Sequence, residues 1–180
     1  MAESRTKGSR SAVALGEHAV LALLTEQPRH GWAIVRVLAP DGEIGRIWTL
    51  SRPLAYRAID NLEARRLVRA TGTEPGDGPR RTILAATASG RREVERWLAA
   101  PVEHLRDVRT ELLLKRVFNA RAGHDTRRLL RAQQREFQPI FAALDAAAND
   151  PDADLVDRWR RENAEAVRRF LAGAPLRQKR

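Results

Sequence analysis

Residues 46–90 read RIWTLSRPLAYRAIDNLEARRLVRATGTEPGDGPRRTILAATASG, and this stretch decides the fold. Ser51 and Pro53 are typical of a helix start, because a hydroxyl can accept a bond from a free amide of the first turn and proline has no amide to satisfy. Small and apolar residues then recur at helical spacing and define one buried face: Ala55, Ala58, Ile59 and Leu62. The stretch therefore predicts a helix over 51–66.

The second part of the stretch predicts a β wing. Small or apolar residues alternate with polar ones, a Gly/Pro loop follows at 74–79, and an apolar pair comes after it: Val68, Ala70 and Gly72, then Ile83 and Leu84. Two short strand-like segments around such a loop are typical of a hairpin.

Two helices precede this unit. The first, over roughly 12–26, opens at Ser11 or Gly16, and a short second helix contains Trp32 among its apolar residues and ends before Pro40. Three helices followed by a hairpin give the predicted fold class, which is mainly α with a small two-stranded β wing. The winged helix-turn-helix domain is predicted to span 12–98.

The second half of the chain predicts a helical dimerisation domain over 108–173, reached through a linker at 99–107. Residues 1–11 have no apolar periodicity and are predicted to form a flexible arm. Residues 174–180 follow a Gly-containing helix end and are predicted to form a flexible basic tail.

Charge is concentrated where the helix and the hairpin lie. The chain carries a net charge of +10, and residues 46–92 contain ten arginines and four carboxylates, whereas residues 1–45 contain five basic and five acidic side chains. A basic patch on a helix-hairpin unit favours a polyanionic partner, and we expect double-stranded DNA.

The composition speaks against an enzyme. With no cysteine and four scattered histidines, the sequence offers no thiol nucleophile and no plausible metal site, and no carboxylate pair or catalytic triad has a defensible spacing. We expect no cofactor and no metal. No apolar run is long enough to span a membrane, and the first ten residues lack a secretory signal, so we expect a cytoplasmic protein without membrane contact.

The face of helix 51–66 opposite to its apolar side is the predicted DNA-reading surface. Arg52, Leu54 and Arg57 are predicted to reach base edges, while the others position the backbone or flank the helix. The predicted DNA-binding residues are Ser51, Arg52, Leu54, Tyr56, Arg57, Asn61, Arg80 and Arg81. The alternative is an ordinary solvated helix surface.

Specific motifs in this region resemble the PadR family of bacterial transcriptional regulators. The matching pieces run from residue 13 to about 98: Pro28-Arg29-His30-Gly31-Trp32, Tyr56-x-Ala58-Ile59-x-x-Leu62, Leu67-Val68, Arg80-Arg81 and Thr87-x-x-Gly90-Arg91. The second half resembles the longer, virulence-activator-like members through the Glu111-to-Lys115 stretch. The resemblance implies a winged-helix repressor that binds a palindromic operator as a homodimer.

Two positions depart from the family pattern. Arg66 stands where a glycine is usual before the first wing strand, so a left-handed helix end there would cost about 1 kcal/mol. Leu84 stands where the family has a tyrosine in the second wing strand.

A homodimer requires an interface, because operator half-sites lie about 34 Å apart and the two reading helices must be held at that separation. Leu130, Phe137 and Leu144 repeat every seven residues, a spacing that a partner helix would cover. The predicted dimerisation residues are Leu112, Leu113, Phe118, Leu130, Phe137, Phe141, Leu144, Trp159 and Phe170. The alternative is a monomeric three-helix cap on the winged domain.

The resemblance also implies a small aromatic effector, for which Trp97 and Trp159 are the predicted pocket residues. Core packing is the alternative role for both. A different functional class also stays open, in which the winged helix is a protein-protein interaction module without sequence-specific DNA binding.

Overall fold

The computed structural model describes residues 13–75, 80–147 and 153–173. The predicted arm at 1–11, the tip of the wing loop at 76–79 and the tail at 174–180 lie outside the described residues. The elements follow in the order α1 (Leu15–Glu26), β1 (Arg29–His30), α2 (Gly31–Leu38), α3 (Arg52–Ala64), β2 (Val68–Glu74), β3 (Arg81–Ala86), α4 (Ala88–Ala99), α5 (Leu113–Arg121), α6 (Thr126–Ala146) and α7 (Leu155–Gly173). The predicted class, mainly helical with a winged helix-turn-helix, is confirmed.

The first helix begins at Leu15, between the two predicted starts, and Ala14 is the residue that precedes it. Its start is stabilised by Glu17, whose carboxylate accepts the backbone N–H of Ala14 at 3.1 Å. All eight residues from Glu17 to Leu24 are buried, because α3 and α4 both pack on this helix.

The sheet has three strands in the order β1-β3-β2, which corrects the predicted two-stranded wing. Arg29 and His30, which lie between the first two helices, pair with Leu84 and Ile83 of β3. A two-residue strand is too short for a period-of-two pattern, so the sequence carries no periodic signal for it. Because β1 pairs with β3, the start of α2 is fixed directly to the wing.

Helices α4 and α6 have a side-chain cap at their first turn, whereas α3 does not. Thr87 accepts the N–H of Gly90 at 3.1 Å at the start of α4, and Asp125 accepts the N–H of Arg127 at 2.9 Å at the start of α6. Ser51 occupies the capping position of α3 but its hydroxyl makes no capping hydrogen bond, which corrects that prediction. The hydroxyl stays exposed at the start of the helix.

The corner between α3 and β2 is built on a left-handed residue. Arg66 has φ 57°, and among the described residues it alone has a positive φ without being glycine. The N–H of Leu67 bonds to the carbonyl of Leu62 at 2.9 Å, and that of Arg66 to Glu63 at 2.8 Å. This is the glycine-type helix end of the family pattern, now made with an arginine.

The helical second half has its own hydrophobic core, and α5 joins the two halves. Leu114 and Phe118 of α5 pack into the core of the winged domain. The second core contains Val102, Val108, Leu112, Leu129, Leu130, Phe137, Phe141, Ala164, Val167 and Leu171. Residues 99–107, predicted as a linker, are held to α6 by Gln133, whose buried amide bonds to both the N–H and the carbonyl of Val102 at 2.7 and 2.8 Å.

This packing corrects part of the predicted dimer interface. The predicted dimerisation residues that are buried inside the cores of the single chain are Leu112, Phe118, Leu130, Phe137 and Phe141. Leu113 and Leu144 are half-buried. The repeat of Leu130, Phe137 and Leu144 therefore packs within the chain, mainly between α6, the 102–112 region and α7. Trp159 and Phe170 remain exposed.

A buried polar cluster connects α1 and α4 to α5. Lys115 is 2% exposed, and its ammonium donates to Ala100 O at 2.9 Å and pairs with Glu111 at 2.8 Å. The indole N–H of Trp97 donates to the same carboxylate at 2.9 Å, and its ring stacks on His18 at 4.8 Å between centroids. Such a buried charge is tolerated because a carboxylate pairs with it and a backbone carbonyl accepts from it.

The first prediction concerns the left-handed corner. Replacing Arg66 with glycine removes the steric cost of φ 57°, while the lost backbone freedom of glycine offsets part of the gain. We expect Arg66→Gly to raise the free energy of unfolding by up to about 1 kcal/mol in urea titrations. Arg92→Gly, made in the interior of α4, is the matched control and should lower it by about 1 kcal/mol. An unstabilised Arg66→Gly would contradict a strained corner.

The second prediction concerns pH. Burial lowers the pKa of His18, while the hydrogen bond to Glu93 and the charges of Glu93 and Glu111 oppose this effect and Lys115 adds to it. A lowered pKa means that the unfolded chain binds more protons, so stability is present above the unfolded pKa of about 6.5 and is lost as the pH falls below it. We expect the free energy of unfolding to decrease from pH 7.5 to 5.5, by at most about 1.4 kcal/mol per pH unit.

His18→Gln should flatten this pH dependence, because glutamine does not titrate. His104→Gln removes an exposed histidine and serves as the control that should keep the wild-type slope. Equal slopes for His18→Gln and the wild type in urea titrations would show that another group causes the effect.

Candidate nucleic-acid interface

Helix α3 buries one face and leaves the other free. Its small and apolar residues pack against α1 and α2: Ala55, Ala58, Ile59 and Leu62. Ser51, Arg52, Leu54 and Arg57 are exposed on the remaining surface, and Leu54 is 47% exposed. An aliphatic side chain of that size beside two exposed arginines gives the surface both apolar and cationic contacts.

Asn61 is exposed one helical turn after Arg57, but its amide N–H is already used within the domain. It donates to Glu17 Oε1 at 2.8 Å, and Arg65 donates to Glu17 Oε2 at 3.2 Å. Asn61 was predicted to contact DNA, and in the structure its amide is bonded to α1 instead. The two contacts tie the C-terminal half of α3 to the first helix.

Tyr56 covers the start of α2 closely. A Cβ added to Gly31 would lie 2.8 Å from Tyr56 Cε1, so the absence of a side chain at residue 31 is what allows the contact. On its other side, the guanidinium of Arg52 lies 5.8 Å from the centre of the tyrosine ring. Tyr56 therefore lies between α2 and the first turn of α3.

Trp32 forms a second and larger stack, which sequence reasoning missed. Its indole is 46% exposed, and it lies 5.1 Å from the guanidinium of Arg36 and 5.7 Å from that of Arg81. The sequence held a signal for half of this arrangement, since Trp32 and Arg36 are one helical turn apart. Because Trp32 was counted among the buried apolar residues of α2, its contact with Arg36 was not predicted.

The two predicted wing arginines have different surroundings. Arg81 is half-buried beside Trp32, whereas Arg80 is exposed and donates to Thr73 Oγ1 at 3.2 Å on the neighbouring strand. The structure therefore places Arg81 next to α2 and Arg80 on the outside of the hairpin.

An open groove brings these residues together. It lies between α2, α3 and β3 and has a volume of about 570 Å³. A second cavity, of about 660 Å³, lies in the helical second half. The lining residues of the groove are His30, Gly31, Trp32, Arg52, Tyr56, Ile59, Glu63, Arg81, Thr82 and Leu84. The predicted DNA-binding residues Arg52, Tyr56 and Arg81 thus share one groove, and we call it the wing groove.

His30 fixes the wing to this groove. Its Nδ1 accepts the backbone N–H of Ala33 at 3.1 Å, which requires the ring proton to be on Nε2 in the neutral form. That Nε2 lies 3.3 Å from Glu74 Oε1 at the end of β2. One side chain therefore caps α2 and contacts the first wing strand, β2.

The arginines of this surface differ from those elsewhere in the domain in whether they form ion pairs with carboxylates. Arg29 pairs with Glu26 at 3.1 Å, and Arg65 pairs with Glu17 at 3.2 Å. None of the ion pairs found among the described residues includes Arg36, Arg52, Arg57 or Arg81. Their charge is thus available to an anionic partner.

The two predicted effector residues lie in different places. Trp97 is buried in the polar cluster with His18 and Lys115, so its role is packing and hydrogen bonding. Trp159 is 69% exposed and lines the open cleft of about 660 Å³ between α6, α7 and the 104–106 turn. The structure does not bring the two rings into one pocket, which corrects that prediction.

In the described ranges, no group of three or more His, Asp or Glu side chains is placed to hold a metal ion. None of the helices in those ranges has both the length and the apolar character that crossing a membrane requires.

Comparison with known proteins identifies the domain that carries the groove. The chain is 34% identical over 96 residues to probable transcriptional regulator Rv1176c of Mycobacterium tuberculosis, an alignment that covers 53% of this chain. It covers 50% of that protein, so the chain spans about half the length of this relative.

Solved structures with a similar fold include Bacillus subtilis PadR in complex with operator DNA, at 19% identity and a TM-score of 0.46, covering 88% of this chain and 96% of that one. Another is smu.1604c of Streptococcus mutans, at 17% identity and a TM-score of 0.43, covering 88% and 97% of the two chains. Residues 20–96 match the family described as transcriptional regulator PadR-like, a family of regulators and not of enzymes. Residues 20–96, which include the elements that line the wing groove, thus match a PadR-like transcriptional regulator domain.

Proposed function

We propose that this protein is a sequence-specific DNA-binding repressor that acts as a homodimer on a palindromic operator. The observation that carries the proposal is that α3 and the wing groove bring together arginines that pair with no carboxylate among the described residues: Arg52, Arg57 and Arg81. The family of the domain supports the same function. In this proposal α3 enters the major groove and the wing lies along the backbone.

The side chains divide by position. Arg52, Leu54 and Arg57 are proposed to read base edges, since an arginine can donate two bonds to a guanine and an aliphatic side chain can contact a thymine methyl group. Tyr56 and Arg81 line the wing groove and are proposed to contact phosphates, together with Ser51 at the start of α3 and Arg80 on the hairpin. Asn61 is left out because Glu17 holds it.

The proposed dimer contact is the exposed apolar surface at the start of α7. Leu155, Val156 and Trp159 are 81%, 60% and 69% exposed, and Phe170 is exposed further along the same helix. Apolar side chains of this size are costly to leave in water, and a second copy of the chain would cover them. The proposal keeps Trp159 and Phe170 of the predicted dimerisation residues.

A small aromatic effector is proposed to bind in the cleft beside Trp159. The cleft has mainly apolar walls from Pro139, Ile140 and Leu144, with His104 and Arg160 at its polar positions. An effector there would lie next to the proposed dimer contacts, so its binding would change the spacing of two DNA-reading helices.

The third prediction tests the reading helix. Arg57→Gln should weaken binding to the DNA upstream of its own gene by about 10- to 100-fold, since a good base contact contributes about 1–3 kcal/mol of discrimination. Arg92→Gln carries the same change of charge on exposed α4 and should bind like the wild type. Fluorescence anisotropy with the upstream fragment and with a scrambled fragment measures both.

Two outcomes would contradict the proposed function. One is a wild-type protein that does not prefer the upstream fragment over the scrambled one, or whose affinity is independent of salt. The other is Arg57→Gln and Arg92→Gln binding equally well. If Arg57→Gln instead abolished binding to a protein partner, the interaction-module function would be favoured.

The fourth prediction tests the dimer. Trp159→Glu places a charge in the centre of the proposed interface and should convert a dimer into a monomer in sedimentation velocity experiments. Leu54→Glu is the control, because it adds the same charge to an exposed apolar residue of α3 and should leave the dimer intact. A dimer that survives Trp159→Glu would place the interface elsewhere.

A further inference from the structure

The most unusual exposed residue of the winged domain is Trp32. It follows the first residue of α2, and almost half of its indole surface is open to solvent, although it adjoins the domain core. A tryptophan that exposed loses much of the burial energy of its ring. Its surroundings therefore point to a role other than packing.

Trp32 arranges two arginines from different elements. Arg36 stacks on it from the next turn of α2, and Arg81 from the start of β3, with guanidinium-to-centroid distances of 5.1 and 5.7 Å. A guanidinium that lays its face on an aromatic ring keeps its N–H edge free for an acceptor. The stack thus holds donors from a helix and a strand in fixed positions before any ligand arrives.

The wing groove beside this stack has the charge of an anion site. Arg52 and Arg81 line it, and Arg36 contacts the ring of Trp32, which also lines it, while Glu63 is the one carboxylate among its lining residues. Tyr56, with Arg52 on its ring, lines the groove with Trp32. The groove therefore carries two arginine-aromatic stacks beside the first turn of the proposed reading helix.

We propose that Trp32, Arg36 and Arg81 form a platform for a backbone phosphate of the bound DNA, with the sugar contacting the exposed indole. This inference rests on the proposed function. It assigns DNA contacts to Trp32 and Arg36, neither of which is among the DNA-binding residues predicted from the sequence. Because phosphates are the same at every base pair, the platform contributes affinity and register but no discrimination between sequences.

The occupant follows from the shape and chemistry of the groove. It is open, and its donors are guanidinium edges that suit a phosphate oxygen. Its aromatic surface suits a deoxyribose better than a charged peptide, and it adjoins residues proposed to reach base edges. The platform holds the backbone strand that runs between α2 and the wing.

The first experiment measures binding of the full chain to the upstream fragment and to a scrambled fragment at several salt concentrations. Trp32→Ala should weaken binding to both by a similar factor, about 3- to 30-fold, because the stacked arginines lose their fixed positions. Arg36→Gln should also weaken both and reduce the slope of log affinity against log salt by about one unit. Arg92→Gln is the control and should leave the slope unchanged.

The second experiment uses the indole itself. Binding of DNA should quench the tryptophan fluorescence of the wild type, and Trp32→Phe should remove most of that change while retaining part of the affinity. Trp32→Phe keeps an aromatic ring, so it also replaces Trp32→Ala as the test if the alanine variant does not fold. Thermal unfolding of each variant checks the fold.

The outcomes separate this inference from the proposed function. If the wild type prefers the upstream fragment but Trp32→Ala and Arg36→Gln bind as the wild type does, the platform is overturned and the function stands. If Trp32→Ala loses only the preference for the upstream fragment, Trp32 reads bases and the platform is also overturned. If the wild-type protein does not prefer the upstream fragment over the scrambled one, the proposed function itself is overturned.

Discussion

The carboxylate of Glu17 on α1 fixes the direction in which α3 points. It is buried, and it accepts three hydrogen bonds, from the backbone of Ala14, the amide of Asn61 and the guanidinium of Arg65. A buried carboxylate without these donors would be strongly destabilised, so the three contacts form together or not at all. Since two of the donors come from α3, rotation of that helix about its axis would break them. The orientation of the surface with Arg52 and Arg57 is therefore set by contacts at the other end of the same helix.

The position of the wing follows from the same helix. Because α3 ends in the left-handed Arg66, the chain reverses within two residues and β2 begins at Val68. Thr87 then donates to the carbonyls of this corner and caps α4, so the return from the wing is fixed at the point where the wing starts. On the far side, β1 pairs with β3 and His30 contacts Glu74. The wing is thus held at both edges, and the rigid hairpin brings Arg81 onto Trp32.

Local signals in the sequence predicted most of the fold, and contacts between distant segments explain what they did not predict. Helical spacing in α3 and the left-handed helix end at Arg66 both depend on neighbours within a few residues, and the structure confirms them. The bond between Asn61 and Glu17 spans 44 residues, and the stack of Arg81 on Trp32 spans a strand and a helix. Helical spacing predicts which face of a helix carries such a residue, but it does not predict which distant side chain contacts that face. For the same reason, the seven-residue repeat of α6 predicted an apolar seam correctly but did not show that the chain covers it itself.

The burial of that seam changes how the second half can act on the first. Phe118 and Leu114 of α5 lie in the core of the winged domain, and Lys115 between them bonds to the end of α4. A buried ammonium with fixed acceptors resists sliding, because any shift leaves a charge without a partner. In the proposed dimer, α4 and α5 therefore move with the winged domain as one unit. A ligand in the cleft between α6 and α7 would change the angle between two such units, and hence the separation of the two α3 helices, without distorting the reading surface. Regulation through the separation of the two α3 helices requires that each unit stays rigid. The buried contacts of Lys115 provide that rigidity.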